Sequence, residues 1–415
     1  MKERLNQLFP HLRKMGILGA GSSGKSCALL CKKLGIACDL LEETKNDKPH
    51  FYDYDLCVLS PGFAPHHPWI QTLQKQAIPY LTEIDFAALC SQNPIIAVTG
   101  TNGKTSVTEA LTQILCCAGK TACAAGNNGN VLSEVVAKGL NHDTIVVCEV
   151  SSYQAWPLRY LTPVYTLWTN IDEDHTAYHG SFKNYLEAKS KLIPLTQKRV
   201  IGGSHLRDYV KANTNIVFAD PYEKLTDWLA QFPLSFSKGQ CENFALLKTF
   251  AEIFGISQKA LVLGLKTFKQ SPHRLYCCLK KEGYEFWNDS KGTNLHAVKA
   301  ALTSLKNKKN VYWILGGRSK GEDIKKFPEI FNLFSNVKKI FLIGEIGKEL
   351  SKNASLFKSQ LNYVGKLEGV FTNLKHVTPP VTVVLSPGFS SWDQFSSYAE
   401  RGTLFENLAQ AFTLD

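Results

Sequence analysis

The stretch PIIAVTGTNGKT, residues 94–105, joins a short apolar run to a glycine-rich turn that ends in a lysine and a threonine. The run Ile95–Val98 predicts a buried strand, and the residues from Thr105 to about Ala118 predict a helix. Backbone N–H groups of a glycine-rich turn between a strand and a helix bind phosphate groups. The stretch therefore predicts an α/β domain with a phosphate-binding loop.

Similar strand-then-glycine patterns occur on both sides of this stretch. The N-terminal one, Met15–Leu18, runs into the turn Gly19–Gly24 and a predicted helix. Near the C-terminus, the predicted strands end in glycine or in Ser-Pro-Gly; they are Val311–Leu315, Lys339–Ile343 and Val381–Leu385. Strands that alternate with helices are typical of parallel sheets. We therefore expect an α/β protein of three domains, with bounds of 1–90, 91–270 and 271–415.

The composition is that of a soluble globular protein rather than a disordered one. The chain has 415 residues, of which 44% are hydrophobic and 20% charged. It has no run of about 18 apolar residues and no signal-peptide core, so we expect no membrane span. Twelve cysteines without a CxxC pair favour small buried side chains in a reducing compartment over disulfides or zinc. These features indicate a cytoplasmic protein.

The charge balance is 47 minus 36, or +11, which indicates an anionic partner. The basic residues are scattered and do not form a dense stretch interleaved with aromatic residues, so a nucleotide or another phosphorylated small molecule is favoured over nucleic acid.

Two glycine-rich loops compete for ATP. Gly19–Ser26 matches the GxxxxGK[ST] pattern, whereas the loop at 98–105 has Val98 in place of the first glycine. A nucleotide-hydrolysing loop also needs a carboxylate at the end of a neighbouring strand to complete its magnesium site. Glu149 stands at the end of the apolar run Ile145–Cys148, whereas Asp55 precedes its strand. We therefore assign ATP to the second loop.

The first loop has a different acidic partner. Glu42 and Glu43 end a predicted strand about 20 residues after it, where a dinucleotide-type fold places a ribose-binding acid. We expect this loop to hold the diphosphate of a nucleotide-linked substrate. A strand–helix turn without a ligand remains the alternative.

Two further segments have candidate metal ligands. Asn170–His175 is a polar cluster after a predicted strand, and His175 is either a magnesium or phosphate contact or a structural histidine. Tyr185–Lys191 has a helical pattern that, taken alone, indicates a solvated face.

These motifs together resemble the Mur ligase family. The resemblance rests on Gly100–Thr105, Glu149–Ser152, Asn170–His175, Tyr185–Lys189, Ser271–Arg274, Asn288–Asn294, Leu315–Gly317, Ser386–Gly388 and Ser391–Phe395 with Arg401 and Gly402. The form of Asn288–Asn294 is similar to that of the members that add D-glutamate. The resemblance implies a Rossmann-like substrate domain, a central P-loop ATPase domain and a C-terminal Rossmann-like domain.

The resemblance also implies roles for individual residues. The ATP-binding residues would be Gly100, Thr101, Asn102, Gly103, Lys104, Thr105, Ser106, Asn243, His273, Arg274 and Asp289. Two Mg²⁺ ions would be held by Thr105 with Glu149 and by His175 with a carbamylated Lys189, and Lys104, Glu149, His175 and Lys189 would be catalytic. UDP-N-acetylmuramoyl-L-alanine would contact Gly21, Ser22, Ser23, Gly24, Glu42, Ser60, Gly62, Asn127 and Gln154. D-Glutamate would contact Thr293, Lys320, Ser391 and Tyr398.

Three positions depart from the family pattern. Glu242 replaces a common histidine, Arg318 and Ser319 replace a common Asp-Gly pair, and Tyr398 replaces a phenylalanine.

The reaction that the resemblance implies is ATP-driven amide formation through an acyl phosphate, by a monomer. The alternatives are a Mur ligase for another amino acid or a folylpolyglutamate synthase, a nucleotide-switched binding protein, and a dehydrogenase built on Gly19–Gly24.

Overall fold

The computed structural model describes residues 2–42, 50–211, 215–232, 238–268, 272–319, 334–352 and 360–413. The chain divides into two compact units. The first comprises Met1–Glu173, Tyr178–Leu234 and Gln240–Lys269; the second comprises Asp174–Ala177, Ser235–Gly239 and Gln270–Asp415.

The N-terminal part of the first unit is a parallel sheet with the strand order β2-β1-β3-β4. Its strands are β1 (Lys14–Leu18), β2 (Ala37–Leu41), β3 (Leu56–Leu59) and β4 (Tyr80–Thr82). Its helices are α1 (Glu3–Leu8), α2 (Ser22–Leu34), α3 (Pro68–Lys75) and α4 (Glu83–Leu89). The strand order reverses beside β1, and in such sheets ligands bind at the carboxyl ends of the strands at this point.

A second parallel sheet follows, with the order β10-β9-β8-β5-β7-β6. Its strands are β5 (Ile95–Thr99), β6 (Ala122–Gly126), β7 (Ile145–Glu149), β8 (Tyr165–Trp168), β9 (Arg199–Gly202) and β10 (Ile216–Phe218). The helices along this part of the chain are α5 (Lys104–Cys117), α6 (Leu132–Lys138), α7 (Ser152–Ala155), α8 (Thr176–His179), α9 (Phe182–Ser190), α10 (Leu192–Leu195), α11 (Thr226–Leu229), α12 (Lys238–Phe254) and α13 (Gln258–Thr267). The central strand β5 is buried along its whole length and leads directly into the phosphate loop.

The two sheets of the first unit share one hydrophobic core. Ile17 and Val58 of the first sheet belong to the same buried cluster as Ala97 and Val146 of the second. Burial of apolar surface is the dominant stabilising term in folding, so this shared core explains why the two sheets form one unit. The domain boundary predicted between residues 90 and 91 therefore lies inside a continuous core. This boundary and the one predicted between residues 270 and 271 stay predictions.

The second unit is built on a mixed sheet with the order β11-β12-β16-β13-β14-β15, in which β11 pairs antiparallel with β12 and the other neighbours pair in parallel. Its strands are β11 (Tyr276–Lys281), β12 (Tyr284–Asn288), β13 (Val311–Gly316), β14 (Val337–Ile343), β15 (Gln360–Gly365) and β16 (Val381–Gly388). Its helices are α14 (Leu295–Ser304), α15 (Gly344–Ser351), α16 (Leu367–Leu374) and α17 (Tyr398–Ala411).

Both faces of this mixed sheet are buried. Trp313 and Leu315 belong to one apolar cluster, and Ile314, between them on β13, belongs to another. Successive side chains of a strand point to opposite faces, so the sheet has a core on each side.

The predicted α/β class is confirmed. The strands Ala37–Leu41 and Leu56–Leu59 begin and end where the sequence pattern predicts. All twelve cysteines are free, and five of them are buried as expected: Cys27, Cys31, Cys57, Cys90 and Cys148. Among the described helices, none is long and apolar enough to cross a membrane.

Candidate active site

The phosphate loop between β5 and α5 depends on two glycines with positive φ. Gly100 has a φ of 145° and Gly103, the N-cap of α5, has a φ of 80°. A Cβ at Gly100 would lie 1.9 Å from Thr169 Oγ1, and one at Gly103 would lie 2.8 Å from the side-chain amide of Asn243. A side chain at either position would therefore clash with its neighbours. The predicted nucleotide contact Asn243 lies directly beside the loop.

The segment after β8 holds this loop in shape. Asn170 Oδ1 accepts the Asn102 N–H at 2.8 Å, and Asn170 Nδ2 donates to the Asn102 carbonyl at 3.0 Å. Thr169 Oγ1 donates to the same carbonyl at 2.6 Å. Thr101 Oγ1 lies 2.9 Å from the hydroxyl of Tyr185. Because these bonds fix the loop, the N–H groups at the start of α5 need little reorganisation to bind phosphate.

Two lysines that are 85 positions apart in the chain meet at the carbonyl oxygen of Gly100. Lys104 Nζ donates to it at 3.0 Å and to the Thr101 carbonyl at 2.8 Å. Lys189 Nζ, on α9, donates to the Gly100 carbonyl at 2.8 Å and lies 4.9 Å from the centre of the Tyr185 ring. Lys189 is only 1% exposed. The structure thus brings the predicted ATP lysine and the predicted carbamylated lysine together.

Glu149 ends β7 beside the loop, since it pairs in register with Val98 of β5. Its Oε1 accepts from Asn127 Nδ2 at 3.0 Å. Its Oε2 is buried and has no hydrogen-bond partner among the residues that the structure describes. Mg²⁺ takes oxygen ligands, and a buried carboxylate oxygen without a partner beside a phosphate loop suits it. Glu149, with Thr105 in the first turn of α5, therefore fits the magnesium role predicted for it.

His175 lies in the second unit, next to Asp174, and has a φ of 56°. Asp174 Oδ1 accepts the His175 N–H at 2.9 Å, and Asp174 Oδ2 accepts from Asn294 Nδ2 at 3.0 Å. A positive φ is uncommon outside glycine and is found at functional sites. The role of His175 as a ligand of the second metal stays a prediction.

The N-terminal loop has a tight strand–helix geometry. Gly19 has a φ of 95°, and a Cβ at Gly24 would lie 1.8 Å from the Gly19 carbonyl oxygen. Lys25 is exposed, and the Ser26 hydroxyl donates to the Ser22 carbonyl at 2.8 Å within α2. The serine of the GxxxxGK[ST] match is thus engaged inside its own helix, which favours ATP at the other loop.

Most of the other predicted contacts of the UDP-linked substrate lie close to this loop or in a cavity beside it, whereas Asn127 lies beside Glu149. The Ser60 N–H donates to the Leu18 carbonyl and the Gly19 N–H to the Leu41 carbonyl, so the ends of β1, β2 and β3 meet there. The predicted contacts at this edge are Gly21, Ser22, Ser23, Gly24, Glu42, Ser60 and Gly62. Ser60 and Gln154 line one small cavity.

Gln154 also has a structural role. Its Oε1 accepts from the N–H and the hydroxyl of Ser151 in a capping box at the start of α7. A capping box satisfies N–H groups that have no partner within the helix.

In the second unit, His273 and Asp289 are both buried. His273 Nδ1 lies 2.9 Å from Asn288 Nδ2, and a Cβ at Gly402 would lie 2.3 Å from that ring nitrogen. Burial lowers the pKa of the His273 imidazole. Asp289 Oδ2 accepts from the Ser386 hydroxyl at 2.7 Å, and burial raises the pKa of the Asp289 carboxyl to about 7.

A buried arginine connects the motifs of this unit. Arg401, 0% exposed, donates to the hydroxyl and the carbonyl of Ser290 and to the carbonyl of Phe389. The Ser290 hydroxyl donates to the Tyr398 carbonyl at 2.7 Å. Arg401 thus fixes the segment before Thr293 to the start of α17.

The set of residues predicted to bind D-glutamate is only partly described. Ser391 is buried, Thr293 half-buried, and Tyr398 36% exposed under the ammonium of Lys291. Lys320 lies outside the described residues.

Several residues of the site were not among the predicted ones. Asn170 and Tyr185 lie in motifs that the sequence pattern singled out, but nothing in the pattern shows that their side chains bond to the loop. Arg401 belongs to a motif of the family resemblance but has no predicted role, and only the packing shows that it is buried.

Comparisons with known proteins identify relatives of this chain. The Mur ligase middle domain matches residues 98–215. The UDP-N-acetylmuramoylalanine–D-glutamate ligase of Thermoanaerobacter pseudethanolicus is 30% identical over 85% of this chain and 83% of its own. That of Elusimicrobium minutum is 30% identical over 95% and 97%. The chain therefore belongs to the Mur ligase family.

Within that family, a third similar protein, from Leuconostoc mesenteroides, is also a UDP-N-acetylmuramoylalanine–D-glutamate ligase, 29% identical over 95% of this chain and 96% of its own. Among solved structures, a MurF ligase from Thermotoga maritima in complex with ADP is similar in fold, with a TM-score of 0.64 and 16% identity over 99% of this chain and 100% of that one. A pseudomurein peptide ligase type C from Methanothermus fervidus has a TM-score of 0.60 and 16% identity over 97% and 100%.

Proposed function

We propose that this chain is an ATP-dependent amide ligase that joins D-glutamate to UDP-N-acetylmuramoyl-L-alanine and releases ADP and phosphate. The observation that carries the proposal is the meeting of Lys104 and Lys189 at the Gly100 carbonyl, beside the buried Glu149. Three relatives named for this reaction support the choice of substrates. The reaction belongs to cytoplasmic peptidoglycan precursor synthesis, and we propose that the enzyme acts as a monomer.

The phosphate loop binds the phosphates of ATP in this proposal. The N–H groups at the start of α5 and the ammonium of Lys104 neutralise phosphate charge. Thr105 with Glu149 would hold one Mg²⁺ and, as the family resemblance implies, His175 with carbamylated Lys189 would hold a second, and these ions would supply further positive charge. Asn243, His273, Arg274 and Asp289 hold the rest of the nucleotide.

The reaction then proceeds in two steps. A carboxylate oxygen of the alanyl group attacks the γ-phosphorus of ATP and forms an acyl phosphate, with ADP as the leaving group. The amine of D-glutamate attacks the acyl carbon, loses a proton, and phosphate leaves from the tetrahedral intermediate. Positioning and charge neutralisation do most of the catalytic work in phosphoryl transfer.

The remaining predicted residues bind the two other substrates. The first glycine-rich loop, with Ser60, Asn127 and Gln154, holds the UDP-linked substrate at the carboxyl edge of the sheets. Thr293, Lys320, Ser391 and Tyr398 hold D-glutamate, where the cation of Lys320 pairs with a carboxylate.

Phosphate release measured with each substrate left out in turn tests this proposal. We expect release to require both UDP-N-acetylmuramoyl-L-alanine and D-glutamate. L-Glutamate or L-lysine should replace D-glutamate poorly, and a folate should replace UDP-N-acetylmuramoyl-L-alanine poorly. ATP turnover that is indifferent to both substrates would instead identify a nucleotide-switched binding protein.

A further inference from the structure

The turn that follows β3 carries two contacts of the UDP-linked substrate in the proposed function, Ser60 and Gly62. Gly62 is exposed, and Ser60 is half-buried with its N–H bonded to the Leu18 carbonyl at 3.0 Å. The Phe63 N–H donates to the Ser60 carbonyl at 3.3 Å, which closes the turn on itself. The carbonyl groups of Pro61 and Phe63 are bonded from a distant part of the chain.

The hydroxyl of Tyr178, on α8, makes these distant bonds. Its oxygen lies 2.8 Å from the carbonyl oxygen of Phe63 and 3.2 Å from that of Pro61. The same oxygen accepts from Trp156 Nε1, directly after α7, at 2.9 Å. A phenol has one proton to donate and can also accept. The hydroxyl therefore gives its proton to the turn and accepts from the indole.

The ring of Tyr178 is held by aromatic neighbours. Its centre lies 4.1 Å from that of the Tyr153 ring, at an interplanar angle of 89°, and 4.8 Å from that of His179. Edge-to-face contacts of this kind stabilise aromatic pairs in one relative orientation. Burial raises the pKa of the Tyr178 phenol, so the hydroxyl keeps its proton. A donor in a fixed orientation thus faces the turn.

We propose that Tyr178 is a positioning residue for the UDP-linked substrate, whose hydroxyl holds the turn with Ser60 and Gly62 in the arrangement that binds this substrate. The inference rests on the proposed function for the identity of the ligand. Tyr178 acts through the backbone of the turn and not by contact with the substrate.

The physical reason is preorganisation. A protein whose binding-competent conformation is only partly populated binds with an affinity reduced by that fraction. Without the Tyr178 hydroxyl, the carbonyl groups of Pro61 and Phe63 lose the donor that ties them to α8, and the competent fraction of the turn falls. The loss affects binding of the UDP-linked substrate and leaves the ATP loop, Gly100–Thr105, as it is.

Two variants separate the bonds of this hydroxyl. Tyr178→Phe removes the hydroxyl and keeps the ring with its aromatic contacts. Trp156→Phe is the matched control, because it removes the indole N–H and leaves the bonds from Tyr178 to the turn. Since Tyr178→Phe also deprives Trp156 of its acceptor, the control measures how much that second bond contributes.

The experiment is titration calorimetry of the full chain and both variants with UDP-N-acetylmuramoyl-L-alanine, with an ATP analogue as the control ligand. We expect Tyr178→Phe to bind the UDP compound about fivefold more weakly and the analogue as the parent does. Trp156→Phe should bind both ligands within about twofold of the parent.

Steady-state phosphate release gives a second readout. Tyr178→Phe should raise KM for the UDP compound by about the same factor and leave kcat within about twofold of the parent, because the turn contributes equally to binding the substrate and the transition state. A general loss of structure would lower kcat and weaken ATP as well.

Three results would overturn the inference. One is a Tyr178→Phe variant that binds the UDP compound as the parent does, and another is an equal loss for the ATP analogue, which would show a purely structural role. The third is Trp156→Phe losing about fivefold in affinity for the UDP compound, a result that decides even if Tyr178→Phe does not fold. A parent that binds the UDP compound but forms no amide refutes the proposed reaction and not this positioning role.

Discussion

At the scale of single residues, Lys189 lies in an unusual environment for a lysine. Its ammonium is buried between the Gly100 carbonyl and the Tyr185 ring. A buried ammonium is costly, and conversion to a carbamate would turn it into a metal-binding anion beside a site for ATP phosphates. Both observed contacts stabilise an ammonium, so a carbamylated Lys189 stays a prediction.

We predict that Lys189→Ala lowers kcat at least about 100-fold, because a ligand of the Mg²⁺ that offsets the charge of the phosphates is lost. Acetate or propionate should restore part of the activity by supplying a carboxylate at the vacated position. Lys183→Ala is the matched control, because Lys183 lies on the same helix and is largely exposed. Full activity of Lys189→Ala in a phosphate-release assay would refute the metal role.

Asp289 has a pKa of about 7 because it is buried, and this has a consequence for stability. An unfolded aspartate has a pKa near 3.8, so between these values the folded state keeps a proton that the unfolded chain has released. The stability contributed by the neutral form is complete below the unfolded pKa and is lost as pH rises through the folded one.

We therefore predict that Asp289→Asn, which does not titrate, gains stability relative to the parent as pH rises from about 5 to about 8. Urea unfolding followed by tryptophan fluorescence at both pH values measures the difference. A difference in unfolding free energy that is the same at both pH values would contradict the raised pKa.

At the scale of elements, the turn at 159–161 is attached to α4 by one carboxylate. Asp85 Oδ1 accepts the N–H groups of Tyr160 and Leu161 at 2.9 and 2.8 Å, and Oδ2 accepts that of Arg159 at 3.0 Å. This bond set joins the part of the chain predicted as the N-terminal domain to the part predicted as the central domain.

We predict that Asp85→Asn destabilises the protein by about 1–3 kcal/mol, because the amide NH₂ replaces an acceptor and leaves a backbone N–H without its partner. Asp53→Asn, at an exposed position, is the control. Thermal unfolding of both variants gives the comparison. If Asp85→Asn unfolded at the same temperature as the parent, the Asp85 hydrogen bonds would not contribute to the stability of the link between the parts predicted as the N-terminal and central domains.

The sequence predicts the elements of this fold well where the pattern is local. Near-continuous apolar runs predict β1, β3, β5, β7 and β16, because a strand buried on both faces is apolar along most of its length. β9 has only two consecutive apolar residues, and the apolar run of β6 consists of alanines and a cysteine, of which alanine is depleted in strands. The meeting of Lys104 and Lys189 and the burial of Arg401 depend on packing between distant segments, which no local pattern shows.

At the scale of the whole molecule, the same edge of each parallel sheet carries the groups that are predicted to bind phosphate. The two glycine-rich loops of the first unit follow β1 and β5, and Glu149 ends β7. Parallel strands bring their carboxyl ends to one edge, so the fold places both loops at ligand-binding edges. The second loop, Gly100–Thr105, matches the GxxxxGK[ST] pattern less well than the first, yet it is the loop that has Lys104, Lys189 and Glu149 around it.

The most direct test of the central claim is transfer of ¹⁸O from the substrate carboxylate to phosphate. UDP-N-acetylmuramoyl-L-alanine labelled in its carboxylate is incubated with ATP and D-glutamate, and the released phosphate is analysed by mass spectrometry. An acyl phosphate requires one labelled oxygen in each phosphate formed with the amide. Unlabelled phosphate, or phosphate released without amide formation, would contradict the assignment of the Gly100–Thr105 loop to an ATP-driven ligase.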